Sequence, residues 1–183
     1  MRNTLLASIL VILANGPASA TEVEASCPAE RAVYTLKSDS AFTAGFIPAK
    51  HYASMASNLY FWVRSPQRTY WFTLTTGVGY TGISLSPVGD LYIAAGGDPD
   101  NGPVAIEADS DSLAHLRIYP MDRDWTVMSD PPNAGDPAPY AMFAPEIGTV
   151  LWYSPRDVTL DETAERDAME RGVFILTGCL DAA

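Results

Sequence analysis

The chain has 183 residues, of which 22 are acidic and 11 basic, giving a formal net charge of −11 at pH 7. A surface this acidic repels phosphate backbones and anionic lipid headgroups, so nucleic acid and anionic membrane surfaces are not expected partners. Hydrophobic residues make up 48% of the chain, which is ample for a buried core, and this length is typical of one domain.

Residues 1–20 have the composition and order of a secretory signal peptide. Arg2 gives a positive start, residues 5–13 are a short apolar run, and residues 18–20 form a small-residue cleavage site. The apolar run is too short to cross a bilayer as a helix, which needs about 20 residues. We therefore expect cleavage at this site, export to the periplasm or the medium, no stable membrane insertion afterwards, and a single β-rich domain over residues 21–183.

The two cysteines, Cys27 and Cys179, lie near the two ends of the mature chain. In an oxidising compartment an even cysteine count predicts a disulfide, and only one pairing is possible. The bond would close a loop that contains almost the whole mature chain. No C-x-x-C pair occurs, so the sequence supports neither a thioredoxin-type redox site nor a zinc knuckle.

The mature chain begins with a predicted strand and a predicted short helix. Residues 32–37 alternate apolar and polar side chains, which predicts a strand. Residues 47–57 predict a helix, because Pro48 would occupy the first turn and Tyr52 begins an apolar stripe at helical spacing.

The segment 58–75 predicts a β-hairpin, because two aromatic-rich runs flank a short turn that contains proline. If Arg64 pairs with Thr69, then two residues further out Trp62 lies directly opposite Trp71. Alternation places one set of side chains on a core face: Leu59, Phe61, Val63, Tyr70, Phe72 and Leu74. The other face carries the remaining side chains: Tyr60, Trp62, Arg64, Thr69, Trp71 and Thr73.

Tyr60, Trp62 and Trp71 on this second face are the candidate ligand-binding residues. Flat aromatic rings exposed on a sheet could hold a sugar or another flat ligand, or form a contact patch for a protein partner. The alternative is a second layer of core, since large aromatic side chains are mostly buried.

Residues 77–82 read GVGYTG, a literal match to the G-x-G-x-x-G dinucleotide fingerprint. The fingerprint works when a helix follows and its N-terminus receives the pyrophosphate. Here residues 83–87 alternate and end in proline, which predicts a strand. We therefore interpret GVGYTG as a turn between antiparallel strands, and we expect no bound dinucleotide and no other cofactor.

The second half of the chain predicts more short strands and a second helix. Strands are predicted over residues 91–95, 104–108, 115–119, 126–128, 149–153 and 173–177, with a long proline-rich loop over 129–145. Residues 159–172 predict a surface helix, with a capping box of Thr159 and Glu162 and a terminal Gly172. The sum predicts a mainly β (α+β) domain, either an antiparallel β-sandwich or a partly open barrel with two short helices.

An acidic cluster in the middle of the chain is the candidate metal site. Its members are Asp98, Asp100, Glu107, Asp109 and Asp111. Carboxylate oxygens at such spacing could bind calcium, but Pro103 stands where an EF-hand loop requires glycine. The alternative is a solvated acidic loop.

The sequence contains no catalytic signature: neither G-x-S-x-G nor H-E-x-x-H occurs, and the two histidines are His51 and His115. A serine triad is defined by geometry rather than by spacing, so either histidine stays a candidate base. We predict an exported, non-enzymatic module that binds a ligand or a protein partner. The alternative is an exported hydrolase that acts on envelope or extracellular material.

Overall fold

The structure, a computed structural model, describes residues 27–49, 54, 56–76, 82–90, 103–106 and 113–181. Several predicted features lie outside these residues: the signal peptide, residues 77–81 of the GVGYTG turn, the strand at 91–95, His51, Asp98, Asp100, Glu107, Asp109 and Asp111. They therefore stay predictions.

Eight antiparallel strands form a closed barrel in which each strand pairs with the next and the last pairs with the first. The strands are β1 (Ala32–Leu36), β2 (Thr43–Pro48), β3 (Leu59–Arg64), β4 (Thr69–Thr76), β5 (Ile83–Val88), β6 (Arg117–Met121), β7 (Ala141–Phe143) and β8 (Val173–Cys179). The prediction of a mainly β, antiparallel fold is confirmed. Of the two predicted architectures the barrel fits, in a closed form, and the sandwich is not confirmed.

The barrel interior is filled by the inward-facing side chain of every second residue. Tyr34 lies edge-on to Phe46, with ring centroids 6.1 Å apart. The series continues from Phe46 to Phe61 at 5.5 Å and from Phe61 to Phe72 at 6.2 Å. These rings cross β1 to β4 and are almost fully buried, as is Phe174 in β8. Burial of apolar area, at about 25 cal/mol per Å², is the main term that stabilises this barrel.

The hairpin of β3 and β4 has the predicted register, in which Arg64 pairs with Thr69 and Trp62 pairs with Trp71. All residues predicted for the core face of the hairpin belong to the main core cluster. The Ser65 hydroxyl accepts two backbone N–H groups within the turn, each at 3.1 Å. This polar turn and the apolar alternation specify the same register.

The predicted helix over residues 47–57 is wrong at its start, because Ile47 and Pro48 end strand β2. In β2, Gly45 lies opposite Trp62. A Cβ atom on Gly45 would come within 2.6 Å of the indole Cζ2 of Trp62, so glycine allows the indole to lie against β2. Pairing with β3 therefore determines Ile47 and Pro48. Residues 50–53 and 55 of the predicted helix lie outside the described residues.

The predicted strand over residues 149–153 is also wrong, because Ile147–Tyr153 form the helix α1. Its buried side chains recur at i, i+3 and i+4 and join the main core: Ile147, Val150 and Leu151. The predicted strand begins at residue 149 and leaves out Ile147, so it misses the helical spacing of these apolar residues. The helix follows β7 and packs its apolar side on the barrel end where β7 ends.

The predicted helix over residues 159–172 is wrong, and we call this segment the strap. After a 3-10 turn at Pro155–Val158, the strap follows an irregular path. Its buried side chains are Ala164, Asp167 and Met169. Ion pairs at i,i+4 stabilise a helix by only about 0.2–0.5 kcal/mol each, which is less than the contacts of these buried residues. The prediction of two helices is not confirmed, since α1 is the single α-helix of the described residues.

The other predicted strands differ in extent. The strand predicted at 115–119 is β6, and His115 ends a short 3-10 helix before it. The segments predicted as strands at 104–108 and 126–128 each contribute one isolated β-bridge within the described residues. Ala105 bridges to Val88, and Val127 bridges to Met121.

The predicted loop over residues 129–145 contains β7 and otherwise crosses the barrel end opposite α1. There the Ser57 hydroxyl donates to the Pro132 carbonyl at 2.7 Å. The Ala29 N–H donates to the Asp136 carbonyl at 2.8 Å. These bonds attach the loop to the residues before β1 and before β3.

The predicted disulfide between Cys27 and Cys179 is present, with a sequence separation of 152 residues. Cys179 lies opposite Ala32, so the bond is at the seam where β8 meets β1 and closes the barrel. Beside it, the Leu180 N–H donates to the Arg31 carbonyl at 2.8 Å. A disulfide is compatible with the predicted export.

Candidate functional site

The aromatic face predicted on the hairpin is mostly covered. Trp71 is 5% exposed and Tyr60 is 8% exposed, and both pack with Val88 in a second, smaller cluster. Trp62 is half-buried at the margin of this cluster. Burial raises the pKa of Tyr60 above its ordinary value. Little of the Tyr60 or Trp71 ring is open to a ligand, and the binding role of these three residues stays a prediction.

Trp62→Ala is expected to lower the free energy of unfolding by about 1–2 kcal/mol, because its indole is only partly removed from water. The ring lies against Gly45, and the guanidinium carbon of Arg64 is 5.4 Å from its centroid. Urea denaturation measures the loss, with Trp62→Phe as a control that keeps an aromatic ring and should lose less. A loss of about 3–5 kcal/mol, as for a core tryptophan, would contradict this expectation.

The other predicted sites do not come together in the described residues. His115 is exposed and, within the described part of the chain, has no hydrogen bond to a serine or a carboxylate. Among the same residues, no group of three or more His, Cys, Asp or Glu side chains could hold a metal. Gly82, the last residue of GVGYTG, has φ 74° and is followed by the predicted strand, β5.

A surface groove of about 750 Å³ lies between the C-terminal end of α1 and the strap. Residues 152–157 line one side of the groove and residues 164–166 line the other. Trp152 is 39% exposed and Tyr153 is 74% exposed. Two accessible aromatic rings beside a concave surface are the typical features of a ligand-binding site.

The local sequence explains why these two rings point outward. Successive residues of a helix are rotated by about 100°, so the residues that follow the buried Leu151 turn away from the core. The helix ends where the Ser154 N–H donates to the Val150 carbonyl at 2.8 Å. The 3-10 turn at Pro155–Val158 then brings Arg156 and Asp157 to the groove.

A buried carboxylate holds the strap wall of the groove in place. Asp167 is 2% exposed, and its Oδ2 accepts the Ser65 hydroxyl at 2.8 Å and the Tyr70 hydroxyl at 2.5 Å. The Asp167 N–H donates to the Leu151 carbonyl at 3.1 Å. Burial, and then the neighbouring Asp167 carboxylate, raise the pKa of Tyr70 well above its ordinary value, so its phenol stays a donor at neutral pH. Asp167 thus attaches the strap to both the hairpin turn and α1.

The groove carries charges of both signs. Its charged lining residues are Arg156, Asp157, Glu165 and Arg166. The guanidinium carbon of Arg166 lies 5.4 Å from the ring centroid of Trp152, a cation–π contact that holds both side chains at the groove. Two guanidinium groups and two carboxylates balance in charge, and all of them can hydrogen-bond to hydroxyl groups. This chemistry suits an uncharged, hydroxyl-rich ligand with a flat apolar face.

Sequence reasoning missed this groove, because it assigned Trp152 and Tyr153 to a strand and the strap to a helix. The available signal was the helical spacing of the three apolar residues of α1. Nothing near Asp167 in the sequence indicates its burial, because its partners Tyr70 and Ser65 are 97 and 102 residues away.

Comparisons with protein-family models, with curated proteins and with solved structures found no match for this chain. In the described part of the chain, no helix is long and apolar enough to cross a membrane. The geometry of the groove is therefore the basis for a functional proposal.

Proposed function

We propose that this protein is an exported binding module without catalytic activity, and that the groove between α1 and the strap binds an uncharged carbohydrate. The observation that carries the proposal is the pair of accessible rings, Trp152 and Tyr153, beside a concavity of about 750 Å³. Sugar rings present flat C–H faces that pack on aromatic rings, while their hydroxyl groups hydrogen-bond to guanidinium groups and carboxylates.

Export is supported by the Cys27–Cys179 disulfide, since such bonds persist in oxidising compartments. The N-terminal sequence pattern supports export independently. An exported module is exposed to polysaccharides of the envelope and the surroundings, and the balanced charge of the groove suits the uncharged ones among them. His115, the candidate base of the alternative hydrolase within the described residues, is not among the residues that line the groove.

Tyr153→Ala is expected to weaken carbohydrate binding about tenfold while leaving the free energy of unfolding unchanged. The ring is 74% exposed, so its removal costs little buried area. A tenfold change corresponds to about 1.4 kcal/mol, which is what packing on one aromatic ring contributes. Titration with soluble oligosaccharides of cellulose, chitin and starch, followed by isothermal calorimetry, measures the affinity.

Tyr153→Phe is the matched control, because it keeps the ring and should retain most of the affinity. If none of the three oligosaccharides binds saturably in the millimolar range, or if Tyr153→Ala binds as well as wild type, the carbohydrate proposal is wrong. Release of new reducing ends during the titration would favour the hydrolase alternative instead.

A further inference from the structure

Strand β6 continues beyond the barrel into a short hairpin over residues 121–128, which we call the tip hairpin. Met121 and Val127 form a β-bridge, with backbone hydrogen bonds of 3.1 and 2.8 Å on either side of it. Met121 pairs with Ala141 at the start of β7, whereas the groove lies beyond the end of β7. The tip hairpin is therefore separate from the proposed carbohydrate site.

The turn of the tip hairpin places a tryptophan where glycine is the usual residue. Trp125 has φ 62°, in the left-handed region that bulky side chains rarely adopt. Asp122 holds the turn, because its Oδ1 accepts the N–H groups of Asp124 and Thr126, each at 2.9 Å. The Asp122 carbonyl also accepts the Trp125 N–H at 3.1 Å. The surrounding hydrogen bonds thus impose the disfavoured conformation on Trp125.

The indole of Trp125 is presented to solvent, with 51% of the residue exposed. It lies edge-on to Tyr140, with centroids 5.8 Å apart. The Arg123 guanidinium carbon lies 4.9 Å from the centroid of the same Tyr140 ring. A half-exposed ring contributes little to folding, so the stability of the barrel does not explain a strained residue at this position.

Beside this ring, the outer edge of the tip hairpin is open. Thr126 and Met128 direct their backbone hydrogen bonds toward β6, so alternation turns the N–H and C=O of Val127 to the opposite side. No backbone group of the described residues pairs with that edge. Val127 is 52% exposed and Met128 is 37% exposed. An open edge bordered by apolar side chains is the surface to which an extended peptide adds as a further strand.

The charge around the edge indicates the kind of partner. The exposed carboxylates of Asp124 and Asp130 flank the apolar side chains, while Arg123 is held over Tyr140. The whole chain has a formal net charge of −11, which attracts positively charged partners. We propose that the tip hairpin binds an extended, basic and apolar segment of a partner protein by strand addition, with Trp125 packed on the partner's apolar side chains.

An end-blocked synthetic peptide of alternating lysine and valine tests this assignment. Titration of the isotope-labelled protein should shift the amide resonances of residues 125–128 and slow the hydrogen exchange of the Val127 N–H, which gains a partner. Trp125→Gly keeps the turn, because glycine adopts positive φ readily, and should weaken peptide binding at least tenfold, as for a central tryptophan of an interface. Its urea midpoint should equal or exceed that of wild type.

Trp152→Ala is the matched control, since it removes an exposed tryptophan at the groove and should bind the peptide as wild type does. A peptide with glutamate in place of lysine should bind at least tenfold more weakly at low salt. The proposal is overturned by equal binding of the two peptides, by unchanged affinity in Trp125→Gly, or by resonance shifts confined to other residues. Shifts that grow with protein concentration alone would overturn it in favour of a second copy of this chain, and binding to phosphatidylcholine vesicles in favour of lipid.

Discussion

Replacement of both cysteines, Cys27→Ala with Cys179→Ala, is expected to lower the free energy of unfolding by about 5 kcal/mol. The bond joins residues with a sequence separation of 152, and freeing so long a loop returns a large conformational entropy to the unfolded chain. Since natural domains are stable by only about 5–15 kcal/mol, the variant should be near the limit of folding. Thermal unfolding should show a Tm lower by about 10–20 °C.

Alanine is the appropriate replacement, because Cys27 is 1% exposed and a serine hydroxyl would be buried there. Wild type treated with a reducing agent should match the double variant, and the agent should leave the variant itself unchanged. The denaturant m-value should rise in both, because an unfolded chain without the cross-link exposes more surface. A loss below about 1 kcal/mol, the low end for disulfides, would mean that pairing of β1 with β8 holds the seam without the bond.

The parts of the fold that the sequence predicts are those whose partners are near in the chain. The pairing register of the hairpin of β3 and β4 is predicted correctly, since its turn and both alternating runs lie close together in the chain. β8 was placed correctly because its apolar residues, such as Phe174, form a short continuous run. The pairing of Cys27 with Cys179 was predictable for a different reason, because two cysteines allow a single partner.

Contacts between residues far apart in the chain determine the secondary structure of the segments that were predicted wrongly. Residues 149–153 contain good strand formers, yet the barrel end offers an apolar surface that a helix can cover with Ile147, Val150 and Leu151. The strap has helix caps and ion-pair spacing, but burial of Asp167 against the distant hairpin turn prevails over those weak local preferences.

The candidate sites were harder to predict than the fold, because aromatic residues occur both in the core and on the surface. The sequence predicts Trp62 and Trp71 as ligand-binding residues, but the sheet face that they share is mostly covered. The accessible rings lie in a turn (Trp125) or in the last turn of a helix (Trp152 and Tyr153), and none of them lies in a strand. Positive φ at Trp125 has no signature in the sequence, because tryptophan is rare at such positions.

Asp167→Ala is expected to lower the free energy of unfolding by about 3–5 kcal/mol, because the hydroxyls of Ser65 and Tyr70 lose a charged acceptor. The change removes two hydrogen bonds to a carboxylate, each contributing about 1.5–3 kcal/mol. It also leaves the hydroxyl of Tyr70, which is 1% exposed, without its acceptor. Ser65 is less affected, because its hydroxyl lies 3.3 Å from the Arg68 carbonyl. Urea denaturation followed by tryptophan fluorescence measures the loss of unfolding free energy.

High pH should weaken the same contact. Burial, and then the Asp167 carboxylate, raise the pKa of Tyr70, so the folded state favours the neutral phenol. The contribution of Tyr70 is therefore complete below the ordinary tyrosine pKa of about 10 and declines as the pH rises above it, by up to about 1.4 kcal/mol per pH unit. Tyr70→Phe should remove this part of the alkaline decline.

Glu162→Gln is the matched control for Asp167→Ala, because Glu162 is an exposed acidic residue of the same strap and its replacement should leave the urea midpoint unchanged. The double variant Asp167→Ala with Tyr70→Phe should be more stable than the sum of the single losses predicts, by about 1–3 kcal/mol, because it no longer buries an unpaired hydroxyl. In Asp167→Ala, amide hydrogen exchange should quicken first in the strap, at the residue 167 N–H that donates to the Leu151 carbonyl, while β3 and β4 stay protected. Strict additivity of the two single losses would show that Asp167 and Tyr70 act independently.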